Sequence, residues 1–253
     1  MRRTRVLEPV SPRPIDDRDD VIAALDVRMH GVMLRTWHPG AVDGVDLRMN
    51  ASERVALTGL PAGVRTGLLR AVAGLAPDAR GEVRVGGRGV RTAAERAWRS
   101  RAVAWMPGGT AVPCPTVEAG ALLARALGPA LAVRAAERAG IVPILKCPVG
   151  TLTRGRLRRL FLARALGQVL AGAGVLLADE PTLGLDARER AETAGLLLGL
   201  PVTLLVATDD PLLVSACDRS VDVASLTAGP HPARRRAQLT ESDGNSLPSR
   251  SDY

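Results

Sequence analysis

A buried apolar strand that ends in two adjacent carboxylates constrains the fold of this chain more than any other sequence feature. The apolar run 175–178 leads directly into Asp179 and Glu180, and the segment continues through Pro181 to Asp186. Such a run predicts a strand buried within an α/β sheet. Two acids alone would also fit a solvated strand exit. Here the two acids stand between an apolar strand and a turn that begins with proline. We therefore favour a site in which one carboxylate holds Mg²⁺ and the other polarises water.

An anion site is predicted in the first half of the chain. The sequence indicates a short buried strand at 54–58, a glycine-containing loop at 59–67 and an amphipathic helix at 68–75. Backbone N–H groups at the start of such a helix, together with the helix dipole, attract phosphate. Segment 41–47 precedes this unit, and segment 81–87 follows it. The order of strand, loop and helix is that of a phosphate-binding loop, or P-loop.

These segments, together with a leucine- and arginine-rich helix at 157–166, resemble the ABC-type ATPases, the motor subunits of ABC transporters. The resemblance covers about residues 21–228. It implies an α/β fold of P-loop NTPase type, with an antiparallel β edge and a helical subdomain inserted at about 108–163. It also implies a head-to-tail dimer of ATP-binding domains, homo- or heterodimeric, that sandwiches ATP.

Residue roles follow from the resemblance, one position at a time. The loop that would bind the phosphates of ATP contains Gly59, Pro61, Ala62, Gly63, Val64, Arg65, Thr66 and Gly67. Thr66 and Asp179 would hold Mg²⁺, and Glu180 would be the catalytic residue that polarises the attacking water. The residues that would act across the dimer are Thr153, Gly155 and Asp186. Trp37 lies in the region of the aromatic residue that stacks on adenine, although local packing is an equally good interpretation for a loop tryptophan.

The chain departs from the family pattern at positions that contact phosphate or couple the site to a membrane partner. Val64 and Arg65 stand where the pattern has glycine and lysine, Gly108 replaces the glutamine of the Q-loop, Arg154 replaces a glycine of the signature, and Asp209 replaces the switch histidine. A valine in a position that needs positive φ is strained, unless the loop takes another shape. The guanidinium of arginine is planar and larger than the ammonium group of lysine, so arginine does not simply take the place of lysine between phosphates. Since the chain has one lysine among 34 basic residues, compositional bias explains the arginine but not the valine.

Composition fits one large α/β domain flanked by two tails. The chain has 253 residues, of which 46% are hydrophobic, which is enough for a sizeable core. Segments 1–20 and 229–253 lack apolar periodicity and predict disordered tails around an ATP-binding domain at 21–228. Three widely spaced cysteines indicate neither a disulfide framework nor a zinc site. The apolar stretch 169–178 is far shorter than the roughly 20 residues that span a bilayer, so transport would require a separate permease subunit.

Charge gives a weaker indication of partners. The net charge of +8 comes from arginines spread along the chain, and only 2% of residues are aromatic. We therefore favour proximity to a membrane surface, plus compositional bias, over nucleic acid as a partner. A DNA-linked ATPase of the same family would instead bind duplex DNA in a salt-sensitive way. The expected location is the cytoplasmic face of the cell membrane.

Two functional hypotheses from different classes remain open. The first is an ATP-binding subunit of an ABC transporter that uses ATP and Mg²⁺ and hydrolyses ATP weakly. The second is a pseudo-ATPase, a regulatory or interaction module that keeps the fold without turnover. The retained Glu180 favours the first hypothesis, whereas Val64, Gly108, Arg154 and Asp209 favour the second.

Overall fold

The chain forms an α/β fold with two sheets. The computed structural model describes residues 23–34, 42–59, 61–109 and 114–226. The strands in these ranges are β1 (Val27–Leu34), β2 (Val42–Met49), β3 (Arg54–Thr58), β4 (Arg80–Val85), β5 (Val103–Met106), β6 (Val175–Asp179), β7 (Thr203–Ala207) and β8 (Arg219–Asp222). The helices are α1 (Ala62–Ala73), α2 (Ala93–Ala102), α3 (Ala119–Leu127), α4 (Pro129–Arg138), α5 (Arg154–Leu170), α6 (Ala187–Leu198), α7 (Pro211–Ala216) and α8 (Val223–Leu226), with 3-10 turns at Val142–Ile144 and Val149–Thr151. The predicted tails at 1–20 and 229–253 lie outside the described residues, as does Trp37.

A parallel five-stranded sheet forms the centre of the molecule, in the order β5-β6-β7-β3-β8. Every residue of β6 and of β7 is buried, which explains why both strands are apolar throughout rather than alternating. Parallel strands deliver their carboxyl ends to a common edge. The residues that follow β3, β6 and β7 therefore come together at that edge.

The second sheet is antiparallel, with the order β2-β1-β4. Residues of β1 alternate between buried and exposed at its start, as expected for a sheet with one face in water. Helix α1 contacts β1 and β4 of this sheet and β6 and β7 of the parallel sheet. Its buried face, which includes Leu68, Leu69 and Val72, joins the two sheets in one apolar core. The antiparallel β edge predicted from the sequence is confirmed.

A helical part follows β5 in the chain and ends where β6 begins. Helices α3 and α4 pack against each other and against α5, which also contacts β5 and β6. Leu123, Leu131, Leu160 and Leu166 lie in the apolar cluster that they share. The insertion agrees with the predicted architecture, and its predicted limits at 108–163 stay a prediction. Within the described part of the chain, no helix combines the length and apolar character that a bilayer crossing needs.

Candidate functional site

The turn after β3 is short, because α1 begins earlier than the sequence predicts. Gly59 has a φ of 66°, and a Cβ there would come within 2.1 Å of Oδ1 of Asp222, so this position requires glycine. Pro61 is the N-cap residue of α1, and the amide of Val64 donates to the Pro61 carbonyl at 2.9 Å. The segment from Ala62 onward is therefore helix instead of extended loop.

This early helix start resolves the question raised by Val64. Among the described residues, the non-glycine residues with positive φ are Ser52 and Glu180. Val64 instead takes helical geometry, and its side chain is buried in the core. The loop has thus taken another shape and the valine is unstrained. The first N–H groups of a helix have no partner within it, so the amides of Ala62 and Gly63 are the ones available to an anion.

Arg65 lies on the first turns of α1 and bridges two carboxylates. Its Nη1 and Nη2 donate to Oδ1 and Oδ2 of Asp209 at 2.5 and 2.7 Å, which is a bidentate pair. Nη2 also donates to Oε1 of Glu180 at 2.5 Å, and Nη1 reaches the Gly59 carbonyl at 3.3 Å. The Arg65 side chain is 3% exposed, and its Nε is buried without a partner. The hydrogen bond from Arg65 lowers the pKa of Asp209.

Glu180 is held in unusual backbone geometry at the end of β6. Its φ is 45°, and its amide donates to the Ala207 carbonyl at 2.8 Å. A non-glycine residue in this region stores strain, and such residues cluster at functional sites. Burial raises the pKa of Glu180, while the adjacent Arg65 acts in the opposite direction. The predicted catalytic carboxylate is therefore present, and its partner is an arginine of the same chain.

The predicted Mg²⁺ ligands lie next to each other. Thr66 Oγ1 donates to Oδ2 of Asp179 at 2.8 Å, and Asp179 is 4% exposed. Burial raises the pKa of Asp179, opposed by the hydrogen bonds from Thr66 and from the Gly108 amide. A hydroxyl and a carboxylate oxygen are hard ligands that suit Mg²⁺, which takes its other ligands from phosphate and water. The described residues contain no group of three or more His, Cys, Asp or Glu that could hold a metal.

The loop after β5 rests directly on Asp179. The Gly108 amide donates to Oδ2 of Asp179 at 3.2 Å. A Cβ on Gly108 would lie 2.6 Å from both Cγ and Oδ2 of that carboxylate, which is closer than real Cβ atoms approach. The glutamine of the family pattern therefore does not fit here unless Asp179 moves. The glycine is a packing requirement, in addition to the loss of a side-chain amide.

Arg158 is a site residue that the sequence analysis missed. It lies on α5 and is 2% exposed; its Nη1 donates to the Pro107 carbonyl at 3.0 Å and reaches the Asp179 carbonyl at 3.5 Å. Desolvation lowers the pKa of Arg158, opposed by the charges of Asp179 and Glu180. It thus ties α5 to the ends of β5 and β6. The available signal was an arginine on a helix face whose neighbours three and four positions later, Phe161 and Leu162, are apolar.

A second ion pair beside the site was also missed. Nε and Nη2 of Arg190 donate to the two carboxylate oxygens of Asp210 at 3.0 and 2.6 Å. Oδ1 of Asp210 also accepts from the Leu212 amide at 3.0 Å and so caps α7. Arg190 lowers the pKa of Asp210. The two acids after β7 therefore point to different arginines, Asp209 to Arg65 and Asp210 to Arg190.

The residues predicted to act across a dimer serve as local helix caps. Thr153 accepts from the Arg156 amide at 3.3 Å at the start of α5, and Asp186 accepts from the Glu189 amide at 2.8 Å at the start of α6. A Cβ on Gly155 would lie 3.2 Å from the Glu189 carboxylate, so the two helix starts are neighbours. The structure brings these three residues to one region, and their role across a dimer stays a prediction.

Comparison with known proteins supports the resemblance. Residues 42–183, more than half of the chain, match the family model described as "ABC transporter". A putative ABC transporter ATP-binding protein from Streptomyces avermitilis is 30% identical over 225 residues, 83% of this chain and 83% of that protein. The macrolide export ATP-binding/permease protein MacB from Salmonella typhimurium is 28% identical over 71% of this chain. This match spans 29% of the length of MacB.

Solved structures share the fold. The ATP-binding cassette MJ0796, solved as a dimer in a post-hydrolysis state with ADP and phosphate, superposes with a TM-score of 0.68 at 19% identity, covering 78% of this chain and 93% of that one. A putative ABC transporter ATP-binding protein from Pyrococcus furiosus gives a TM-score of 0.63 at 17% identity, covering 80% and 100%. The family model spans over half of the chain, and a relative that is 30% identical and is named as an ATP-binding protein spans most of it. The chain therefore belongs to the ABC transporter family.

Proposed function

We propose that this protein is an ATP-binding subunit of an ABC transporter with weakened ATP hydrolysis. The observation that carries the proposal is the ion pair of Arg65 with Glu180 and Asp209, in which the guanidinium is 3% exposed. The fold and the carboxylate pair support nucleotide binding, and the ion pair supports the reduced rate. ATP would lie with its phosphates on the first turn of α1, in reach of Glu180.

Glu180 is the general base in this proposal. A base must offer a free lone pair to the attacking water within hydrogen-bond distance. Oε1 of Glu180 already accepts from Arg65 at 2.5 Å, and the positive charge of Arg65 opposes the rise in the pKa of Glu180 that burial causes. Arg65 therefore competes with the attacking water for the Glu180 carboxylate, whose other oxygen, Oε2, would take the proton. Losing one preorganised stabiliser of a developing charge costs on the order of 10²-fold in rate, so weak turnover is the expected result.

Mg²⁺ would be held by Thr66 and Asp179, whose oxygens lie 2.8 Å apart. A bound Mg²⁺ polarises phosphoryl oxygens and neutralises their charge. The chain's own contribution is to keep the carboxylate of Asp179 oriented through the Thr66 hydroxyl and the Gly108 amide. This orientation holds whether or not Arg65 is displaced from Glu180, because the two sets of contacts share no side chain.

The transporter role is carried over from the family. Relatives include proteins named as ATP-binding subunits and as fused ATP-binding/permease proteins. We propose that this chain acts as a homo- or heterodimer of ATP-binding domains and engages a separate permease subunit at the cytoplasmic face of the membrane. Thr153, Gly155 and Asp186 would face the nucleotide of the opposite subunit, since they share one region near the starts of α5 and α6.

The test is ATP turnover by the purified full chain, alone and with its permease, in the wild type and in Glu180→Gln. We expect slow turnover that Glu180→Gln abolishes, because the amide cannot accept a proton from water. The control is Glu82→Gln, an exposed carboxylate paired with Arg84 far from the site, which should leave the rate unchanged. A rate that is the same in wild type and Glu180→Gln contradicts the proposal and indicates a contaminating ATPase.

A non-hydrolysing regulatory module is the second candidate function. It is favoured by Gly108, which offers no side-chain amide to report the state of the nucleotide and cannot be enlarged without moving Asp179. In this case Mg²⁺–nucleotide binding would be measurable by calorimetry while turnover stays at background in every variant. The two candidates thus differ in a single measurement, the rate that depends on Glu180.

A further inference from the structure

The position of a terminal phosphate in this site is fixed by two requirements. The phosphates must rest on the first turn of α1, where the amides of Ala62 and Gly63 are available. The last phosphate must also come close enough to Glu180 for one water molecule to bridge them. The γ-phosphate of a triphosphate therefore has to enter the space between α1 and the end of β6.

That space is spanned by the Arg65 guanidinium. It contacts Glu180 at 2.5 Å on one side and Asp209 at 2.5 and 2.7 Å on the other. Nη1 of Arg65 reaches the Gly59 carbonyl, which precedes the start of α1, so the guanidinium lies on the side where the γ-phosphate would have to go. A diphosphate ends one phosphate earlier and does not need this space.

The charges around the guanidinium oppose a further anion. The single positive charge of Arg65 is shared by the carboxylates of Glu180 and Asp209. A third carboxylate, that of Asp179, directly precedes Glu180 in the sequence. Arg158 and Arg190 are also close to these acids, but Nη1 of Arg158 is directed to backbone carbonyls and Arg190 is paired with Asp210. A γ-phosphate entering here would meet carboxylates that already use the positive charge it needs, and like charge at short range is repulsive.

We propose that this nucleotide site prefers a nucleoside diphosphate to the corresponding triphosphate. The proposal rests on the proposed function, since it concerns the same site. Arg65, Glu180 and Asp209 form a selectivity element that accommodates the α- and β-phosphates at α1 and disfavours the γ-phosphate. Specificity of this kind comes from a repulsive element built against the competing ligand. In a transporter, such a subunit would bind ADP, the product of hydrolysis, more tightly than ATP, the substrate.

Asp209→Asn is the variant that tests the selectivity element. The Asp209 side chain is 68% exposed, and asparagine keeps its size and one oxygen that accepts from the buried Arg65 guanidinium. It removes the negative charge of one of the two carboxylates that pair with Arg65. The ion pair between Arg65 and Glu180 remains. The matched control is Asp46→Asn, which changes an exposed aspartate that accepts from the Gly31 amide on the antiparallel sheet.

The experiment is calorimetric titration of the full chain with ADP and with a non-hydrolysable ATP analogue, both in excess Mg²⁺. We expect ADP to bind roughly tenfold more tightly than the analogue in the wild type and in Asp46→Asn, and the difference to fall below about threefold in Asp209→Asn. Equal or tighter binding of the analogue in the wild type overturns the proposal while leaving the proposed function intact. An unchanged ratio in Asp209→Asn also overturns it. Absence of binding by both nucleotides overturns the proposed function and this inference together.

Discussion

Two substitutions relative to the family pattern act as a pair in this protein. Taken separately, arginine for lysine at position 65 and aspartate for histidine at position 209 each predict a weaker phosphate site. In the structure, Arg65 and Asp209 form a bidentate ion pair at 2.5 and 2.7 Å. The planar fork of arginine suits a carboxylate in a way that the point charge of lysine does not. The two residues therefore give each other a charged hydrogen-bond partner that neither substitution alone would supply.

The neighbouring acid allows a prediction about pH. Arg190 lowers the pKa of Asp210 in the folded protein, relative to about 3.9 in an unfolded chain. A lowered folded-state pKa stabilises the fold above the unfolded value, and this contribution is lost as the pH falls through the folded value. Asp210→Asn keeps a side-chain oxygen to cap α7 but loses the charge. We therefore expect the free energy of unfolding to fall more steeply below about pH 4 in the wild type than in Asp210→Asn.

Urea denaturation followed by circular dichroism at a series of acidic pH values measures this difference. The other carboxylates of the chain titrate in both proteins, so they contribute the same background to the two curves. If the two curves run parallel through the acid range, the Arg190–Asp210 ion pair does not contribute to stability in the way that its geometry indicates.

The structure brings the predicted residues Asp179, Glu180 and Thr66 together, but the sequence did not indicate their partners. Asp179 and Glu180 were proposed from the end of an apolar strand, and Thr66 from the resemblance to the P-loop pattern. The pairing of Arg65 with Asp209 joins positions 144 residues apart and depends on β3 and β7 being neighbours in the sheet. No local pattern carries that information, which is why the sequence analysis treats Asp209 only as a replacement for the switch histidine.

At the scale of elements, strands were predicted more accurately than the phosphate-binding turn. The predicted strand at 54–58 coincides with β3, and the run at 175–178 lies within β6. The predicted loop at 59–67 was too long, because α1 begins at Ala62. Proline is well suited to a helix start, and the replacement of glycine by Val64 removes a residue that resists helix formation. The loop was predicted from its glycines, of which Gly63 and Gly67 lie within α1 in the structure.

The loop after β5 provides a prediction at this scale. Gly108→Ala places a Cβ 2.6 Å from the Asp179 carboxylate, which is itself fixed by the Thr66 hydroxyl. We expect a loss of about 1–3 kcal/mol in the free energy of unfolding, because the carboxylate or the loop must shift. The control is Gly109→Ala, where a Cβ would meet nothing within 4 Å. Equal stability of the two variants in urea denaturation would show that the loop relaxes freely and that Gly108 is not a packing requirement.

Across the whole molecule, buried arginines connect parts of the fold that are distant in sequence. Counted over the whole residue, Arg65, Arg99 and Arg158 are each 2% exposed or less. In each of them the Nε atom is buried without a partner. Arg158 links the helical part to the parallel sheet, and Arg65 links α1 to β6 and β7. The antiparallel edge and the helical insertion were predicted from the family resemblance. The arginine contacts were not, because an arginine-rich composition hides the few arginines that are buried.

Arg99 offers the sharpest test of this architecture. Its guanidinium donates to the Val72 carbonyl at the end of α1 and to the Arg88 carbonyl beyond β4, both at 2.6 Å. It thereby joins α1 to the segment that follows β4 of the antiparallel sheet. Desolvation lowers the pKa of Arg99 to about 10, so the group is still charged at neutral pH. In Arg99→Ala these carbonyls lose a charged donor and a cavity forms, and we expect a loss of about 3 kcal/mol.

Two further variants separate the hydrogen bonds of Arg99 from its volume. Arg99→Met fills most of the space without a donor, so it should recover the packing part of the loss but not the part that comes from unsatisfied carbonyls. Arg101→Ala, two positions later on the exposed face of α2, should change the free energy of unfolding by no more than about 0.5 kcal/mol. If Arg99→Met is as stable as the wild type in urea denaturation, apolar filling alone holds α1 and the antiparallel sheet together. If it unfolds as readily as Arg99→Ala, the guanidinium is the link between them.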